Sequence, residues 1–175
     1  EFDLLRRLGD LYVAVGDYRN GLRTMRQAAT HFRDNEKAPE VTQQMTDAFA
    51  GLYLDDKADD LAPITAIALY DEFKELTPPG EKGDEMIRRL ADRLVDVDLL
   101  DRASALLQGQ VEFRLEGGEK ARVGAQLALG HILAHEYEQA IQTLDESDGE
   151  DLPEELAAQR QHLRARSLMG QERIE

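Results

Sequence analysis

The sequence predicts an all-α protein with about nine helices. Residues that favour helices, among them Ala, Leu, Glu, Arg and Gln, are abundant, whereas aromatic residues make up 6% of the 175 and Trp is absent. Apolar residues recur at spacings of three and four in successive blocks of roughly 12 to 17 residues, separated by Gly, Pro or acidic segments. A hydrophobic content of 42% is enough to bury a core, so the pattern indicates a folded chain.

In the first half of the chain the pattern predicts two helical hairpins, over residues 3–33 and 40–76. The first helix, about 3–15, carries one broad apolar face, and Gly16 makes the turn to a second helix over about 18–33. Pro39 and Pro63 suit the first turns of the third and fourth helices, because a missing N–H would be unpaired there in any case. The face of the first helix is formed by Leu4, Leu5, Leu8, Leu11, Tyr12 and Val15.

The second half predicts hairpins over residues 84–114 and 120–147, followed by a terminal helix over about 153–169. Gly117-Gly118 is predicted to form the loop between the two hairpins. Asp151, followed three residues later by Glu154, has the spacing of a capping box and predicts the start of the terminal helix. Gly170 then lies where a helix C-terminus takes a left-handed residue.

The first hairpin carries a set of bulky and small residues at regular spacings: Leu5, Leu8-Gly9 and Tyr12 in its first helix, then Gly21, Met25 and Ala28 in its second. A large residue, then Leu-Gly, then Tyr, at spacings of three and three, is how the first helix of a tetratricopeptide repeat (TPR) begins, and the second helix of that repeat needs a small, a bulky and a small residue. The hairpin therefore resembles a TPR. Small residues recur in the later hairpins at Ala66, Ala103 and Ala140, at intervals of 45, 37 and 37, against a usual unit of about 34.

The resemblance covers nearly the whole chain and implies one domain over residues 1–175, an α-solenoid of antiparallel hairpins forming a right-handed superhelix. It also implies a concave groove lined by the first helix of each hairpin, which would bind a peptide or a partner helix. Arg grips a carboxylate with two parallel hydrogen bonds, so the ligand expected is an acidic or C-terminal peptide. The alternative is that these arginines pair with Asp or Glu on adjacent turns. Aligning the hairpins places Arg6 with Asp10, Met45 with Leu52, Arg88 with Asp92, Arg122 with Leu129, and Arg160 with Arg164 along the groove.

Composition excludes several classes of function. A net charge of −15 makes nucleic acid a poor ligand, since binding a phosphate backbone relies on clustered Lys and Arg. The sequence contains no run of about 18 apolar residues, so we expect no membrane insertion, and no targeting segment is recognisable. The absence of Cys excludes disulfides and thiol chemistry and leaves the compartment open between cytoplasm and periplasm. The excess of Arg over Lys favours a bacterial gene, and the chain reads as a piece of a longer protein that begins a new turn after Gly170.

No catalytic motif is recognisable, and we predict a non-enzymatic protein without a cofactor or a metal. His131 and His135, four residues apart, would share a helix face as in a two-His metal site, but Ile132 occupies the place where a metalloprotease helix has Glu. The alternative is that His131 packs within the helix and His135 lies at its end. The main hypothesis is an interaction scaffold. The second, suggested by the apolar face of the terminal helix, is self-association or a spacer segment of a larger multi-repeat protein; that face contains Leu156, Leu163, Leu168 and Met169.

Overall fold

A computed structural model describes residues 1–173, and all regular secondary structure within them is helical, which confirms the all-α prediction. Most helix ends lie within two or three residues of the ranges predicted from the sequence. The nine α-helices of these residues are α1 (Phe2–Ala14), α2 (Tyr18–His31), α3 (Ala38–Leu54), α4 (Pro63–Phe73), α5 (Glu81–Asp96), α6 (Leu100–Phe113), α7 (Gly117–Leu133), α8 (Tyr137–Glu146) and α9 (Glu154–Glu172).

Several helix boundaries have the causes that the sequence indicated. Gly16 adopts φ +84° between α1 and α2, and Asp17 caps α2 by accepting a hydrogen bond from the backbone N–H of Asn20 at 3.3 Å. Pro39 and Pro63 occupy the first turns of α3 and α4. A 3₁₀ turn, Lys74–Leu76, follows α4 and leads into Thr77, which is extended because proline follows it.

Three local predictions were wrong. Gly117 and Gly118 are the first two residues of α7, so the predicted loop does not extend through them, although Gly117 has the left-handed φ of +56° that suits a turn. The residue before α9 is Pro153, whose side chain has no atom that can accept a hydrogen bond, and Asp151 two residues earlier adopts φ +53°, so no capping box forms. Gly170 lies inside α9, where its missing side chain makes room for the ring of Tyr137. The last two residues of the predicted new turn, 174 and 175, lie outside the described residues.

The chain divides into two compact units, Glu1–Leu90 and Ala91–Glu175, with the division inside α5. In the first unit α1 packs on α2 and α2 packs on α3. The core is centred on Phe49, whose ring lies 5.3 Å from that of Tyr53 and 6.4 Å from that of Phe73, between centroids. The hydroxyl of Tyr53 donates to the carbonyl of Ala66 at 2.8 Å, so the polar end of this buried ring is satisfied.

The helices α1 and α2 cross closely because both carry glycine at the crossing. A Cβ on Gly9 would lie 2.7 Å from Cγ of Met25, and a Cβ on Gly21 would lie 2.6 Å from a methyl carbon of Val13. The side of α1 that faces α2 contains Phe2 and Gly9, its buried residues. Most of the broad apolar face predicted for the first helix therefore lies elsewhere. Its members Leu4, Leu8, Leu11 and Val15 are 42–78% exposed, while Leu5 and Tyr12 are half-buried.

In the second unit α6, α8 and α9 each pack on α7, and α8 also packs on α9. Small residues on α7 let the neighbouring helices approach closely. The core cluster consists of Ala121, Ala125, Ala128, Ile132, Ala140, Leu144, Leu156 and Leu163. Gly124 is a further point of close approach, because a Cβ there would overlap the side chain of Ser147.

Four residues other than glycine adopt a left-handed backbone, and all four lie between helices. They are Asp56 (φ 59°), Asp98 (φ 62°), His135 (φ 62°) and Asp151 (φ 53°). Asp and His are among the residue types that tolerate this conformation best after Gly and Asn. The connections between helices are therefore tight turns with a specific backbone geometry.

Candidate binding surface

An apolar cleft of about 310 Å³ opens in the second unit between the C-terminal part of α5, α6 and α7; we call it the α5–α7 cleft. Its floor consists of buried residues that include Ala103, Leu107 and Leu127, and its upper walls include Val95, 48% exposed, and Leu133, 63% exposed. This volume is at the lower end of the range for ligand sites and suits one or two large apolar side chains.

The charged residues that line the α5–α7 cleft are two exposed carboxylates, Asp92 and Asp96. The amide of Gln126 on α7 donates to Oδ1 of Asp92 at 3.2 Å, which fixes one carboxylate against the opposite wall. An apolar floor below acidic residues suits a ligand that combines a bulky apolar side chain with Lys or Arg beside it.

The ten residues predicted for the groove lie in different environments. Asp92 and Leu129 line the α5–α7 cleft together. Arg6 and Asp10 lie on α1, half-buried and exposed respectively, while Arg122 is exposed on α7. The side chains of Met45 (5% exposed) and Leu52 (0%) belong to the core of the first unit, because α3 presents them to the interior.

Arg160 is also buried, at 6% exposure, where the sequence predicted a ligand-binding residue. Its guanidinium donates to the carbonyl of Ala121 on α7 and to that of Leu144 on α8, each at 2.6 Å, and to Oγ of Ser147 at 3.2 Å. Burial lowers the pKa of Arg160, partly offset by Asp148, with an oxygen 3.7 Å away. Arg160 therefore joins three helices, and the hydrogen bonds of its guanidinium are made within the protein.

Three other predicted groove arginines pair with carboxylates; Arg88 and Arg122 do so on an adjacent turn, as in the alternative interpretation, whereas Arg164 pairs with a residue of a different helix. Arg88 contacts Glu85 at 2.9 Å and Arg122 contacts Glu119 at 2.8 Å, both three residues apart on one helix. Arg164 on α9 reaches Oδ1 of Asp145 at 2.5 Å and lines a second cleft of about 320 Å³ together with Arg160. These pairs hold the arginine side chains close to the protein surface.

An arginine cluster that the sequence reasoning missed joins α2 to the end of α4 in the first unit. Nε of Arg19 lies 3.1 Å from Glu72 and Nε of Arg23 lies 2.5 Å from it, while Arg26 donates to the backbone carbonyl of Glu72 at 3.0 Å and to the side chain of Glu75. The guanidinium of Arg26 also stacks over the ring of Phe73 at 4.4 Å. The spacing of these arginines along α2, at 19, 23 and 26, was the available signal, since it places them on one helix face.

The two histidines with metal-like spacing do not share a helix face. The helix α7 ends at Leu133, and His135 lies beyond it in the left-handed conformation. Nδ1 of His131 lies 2.7 Å from Oε2 of Glu136, and Nδ1 of His135 lies 2.9 Å from the hydroxyl of Tyr137. Within residues 1–173 no group of three or more His, Asp or Glu side chains is arranged to hold a metal ion.

Comparison with known proteins gives no relative from which a function can be carried over: no family model, curated protein sequence or solved structure matches this chain. None of the helices described combines the length and the apolar character that crossing a membrane requires.

Proposed function

We propose that this chain is a TPR-like α-solenoid that works as a protein-interaction scaffold, and that the α5–α7 cleft of its second unit receives a partner helix or an extended peptide. The observation that carries the proposal is the cleft itself, an apolar surface left open between three helices. Clefts of this type receive the apolar face of an amphipathic helix in many peptide-recognition modules.

The packing of α1 on α2 supports a TPR-like hairpin. In that repeat a small residue allows the two helices of a hairpin to cross closely, and here glycines occupy both sides of the crossing at positions 9 and 21. The small residues that recur in the later hairpins, Ala66, Ala103 and Ala140, are all buried as well. These positions serve packing, so the ligand specificity of the scaffold depends on the surface residues beside them.

The chemistry of the cleft favours a basic amphipathic ligand over the acidic peptide expected from the groove arginines. Asp92 and Asp96 would repel a carboxylate, whereas a Lys or Arg flanking an apolar anchor pairs with them. Electrostatic steering by a chain of net charge −15 increases the association rate of the same class of ligand.

The proposal is tested by selecting binders from a displayed library of short helical peptides and measuring their affinity by fluorescence anisotropy. Leu133→Asp places a charge on the cleft wall at a side chain that is 63% exposed, and it is expected to weaken binding at least about tenfold. Phe113→Asp is the matched control, because Phe113 is 83% exposed in the same unit and does not line the cleft. Peptides that bind the wild-type chain and the Leu133→Asp variant equally well would refute the cleft assignment.

Self-association is a second candidate function, although the terminal helix supports it less than the sequence suggested. Leu156 and Leu163 are buried in the core of the second unit, so only Leu168 (49% exposed) and Met169 (57%) remain of the predicted face. A longer exposed apolar face lies on α1 and supports the same function from a different observation.

A further inference from the structure

A cleft of about 680 Å³ opens in the second unit where the end of α7, the start of α8 and the last turns of α9 meet; we call it the α7–α9 cleft. Its volume is about twice that of the α5–α7 cleft and lies within the range for ligand sites. Its apolar lining includes Ile132 and Leu133 of α7, the ring of Tyr137 and the exposed side chain of Met169. This lining suits a bulky apolar group of a ligand.

Two arginines lie on either side of this apolar surface. Arg173 follows Arg166 by seven residues, so both project from one side of α9, about 10 Å apart along its axis, with Met169 and Gly170 between them. A Cβ on Gly170 would lie 2.4 Å from the ring of Tyr137, so the missing side chain lets this ring pack against α9 between the two arginines. An apolar group in the cleft therefore has a guanidinium near each of its ends.

The α7–α9 cleft is positive, although the chain carries a net charge of −15. Among the residues that the structure describes, no Asp or Glu lines the cleft, and the guanidinium of Arg166 has no carboxylate partner. The neighbouring arginines of α9 differ, because Arg160 is held by backbone carbonyls and Arg164 pairs with Asp145. The part of α9 over residues 156–171 contains three Arg and no Asp or Glu, so its charge is opposite to that of the whole chain.

The other charges around the α7–α9 cleft are too small or too far occupied to reverse its sign. Glu136 precedes the cleft residue Tyr137, but its carboxylate lies 2.7 Å from Nδ1 of His131. The negative ends of α7 and α9 lie beside the cleft, and the positive end of α8, which no side chain caps, offsets one of them. Each helix end carries about half an elementary charge, so two guanidinium groups outweigh the remainder.

We infer that the α7–α9 cleft binds a peptide segment in which a bulky apolar side chain is flanked by a carboxylate. The apolar side chain packs on Tyr137 and Met169, and the carboxylate accepts two parallel hydrogen bonds from Arg166. The occupant is a peptide because Leu133 lines both clefts of the second unit, so one extended chain can continue from the α5–α7 cleft into this one. To that extent the inference rests on the proposed function, to which it adds a second subsite with the opposite charge preference.

Fluorescence anisotropy of the full chain in about 0.15 M salt tests the subsite, because charges farther away than about 8 Å are then largely screened. The probes are two labelled peptides of equal length, one containing Glu-Leu-Phe-Glu and the other Lys-Leu-Phe-Lys. The acidic probe is expected to bind the wild-type chain with a dissociation constant of roughly 10–100 µM. Arg166→Glu and Met169→Asp should each weaken its binding at least about tenfold.

Each of these variants has a matched control. Arg122→Glu makes the same change of net charge at an exposed arginine of the same unit that does not line the cleft. Leu168→Asp places a carboxylate on α9 at a side chain that is 49% exposed, next to Met169 at 57%. Both controls should bind the acidic probe as the wild-type chain does. All four substituted side chains are exposed, so circular dichroism should show the same fold in every variant.

An acidic probe that does not bind the wild-type chain up to about 1 mM overturns the inference. Equal binding by Arg166→Glu and Arg122→Glu does the same. Displacement of the probe by 3-phenylpropionate at the same concentration as by the unlabelled peptide would assign the cleft to small carboxylates and overturn the peptide as its occupant.

The basic probe separates a failure of this subsite from a failure of the proposed function. Val95 lines the α5–α7 cleft and not the α7–α9 cleft, so Val95→Asp should alter binding of the basic probe and leave the acidic probe unchanged. A basic probe that responds to Val95→Asp, beside an acidic probe that ignores Arg166→Glu, overturns the α7–α9 subsite alone. The reverse pattern supports this subsite and counts against the α5–α7 cleft.

Discussion

Replacing Arg160 by Met is the most informative perturbation of the second unit, because one side chain there serves three buried acceptors. Met keeps the length and much of the volume of the arginine stem but donates no hydrogen bond. The carbonyl of Leu144 is one of the last of α8 and so lacks a partner within its own helix. In the variant this carbonyl, that of Ala121 and the hydroxyl of Ser147 all lose the guanidinium.

The expected loss of unfolding free energy is about 3 kcal/mol. The carbonyl of Leu144 is left without a donor, which costs about 1–3 kcal/mol. The carbonyl of Ala121 keeps its helical partner within α7 and the hydroxyl of Ser147 still donates to the carbonyl of Thr143, so each of these loses one of two hydrogen bonds, at about 0.5–1.5 kcal/mol. Part of the loss is offset, because burial of the Arg160 charge is itself unfavourable, as its lowered pKa shows, and Met removes that cost. Arg160→Lys should have about half the effect, since one ammonium group cannot reach carbonyls on both α7 and α8.

Urea unfolding followed by circular dichroism measures the change, and hydrogen exchange assigns it to a unit. With a denaturant slope near 1.5 kcal/mol per molar for a unit of this size, the midpoint should fall by about 2 M. Arg164→Met is the matched control on the same helix, because it removes a surface ion pair with Asp145 that is worth at most about 1 kcal/mol. Exchange should increase in α7–α9 and stay unchanged in α1–α3. A midpoint for Arg160→Met equal to that of Arg164→Met would refute the reasoning.

Three further predictions follow from single contacts. Gly124→Ala should destabilise the chain by about 1–3 kcal/mol, because the added Cβ overlaps the side chain of Ser147. Gly130→Ala on the same helix should stabilise it by about 0.5–1 kcal/mol, because the atom nearest to the added Cβ is Oγ of Ser104 at 3.8 Å, and thermal melts of both variants measure the difference. Gly170→Ala should loosen the packing of α9 on Tyr137 and speed hydrogen exchange in α8 and α9, and unchanged exchange would contradict the contact. The hydrogen bond from Arg89 holds the pKa of Glu85 below its ordinary value of 4.5, so the ionised carboxylate stabilises the fold at neutral pH and this contribution is lost as the pH falls below 4.5. The difference in unfolding free energy between the wild-type chain and Glu85→Gln should therefore shrink between pH 7 and pH 3, and a constant difference would contradict this role of Glu85.

Helix positions could be predicted from the sequence because local signals determine them. Gly16, Pro39 and Pro63 act through their own backbone restrictions, and those boundaries agree with the structure. The wrong prediction at Gly170 involves a residue whose role depends on what packs beside it. Glycine is common at helix ends, yet Gly170 lies within α9, where the ring of Tyr137 packs in the position that a Cβ would occupy.

The candidate site was less predictable than the helices, because helical periodicity shows that a residue is apolar but not which neighbour covers it. Leu8 and Leu52 both belong to the apolar periodicity of their helices, yet Leu8 is 42% exposed and Leu52 is fully buried. Arg160 looked like a surface arginine, since no local signal shows that three acceptors from α7, α8 and the following turn converge on it. The cleft requires the packing of three helices and has no sequence signature of its own.

The left-handed turns between helices restrict how this sequence can diverge. At Asp56, Asp98, His135 and Asp151 a β-branched residue would meet steric strain, while Gly, Asn, Asp or His fit the backbone. Surface residues on the intervening helices have no such restriction, so the sequences of homologues should vary at those surface positions. They should retain short polar residues, His or glycine at the four turn positions. A collection of homologous sequences in which Val or Ile is common at them would show that the turns are not maintained. These turn positions, more than the helix surfaces, are therefore the part of the chain by which distant relatives should be recognised.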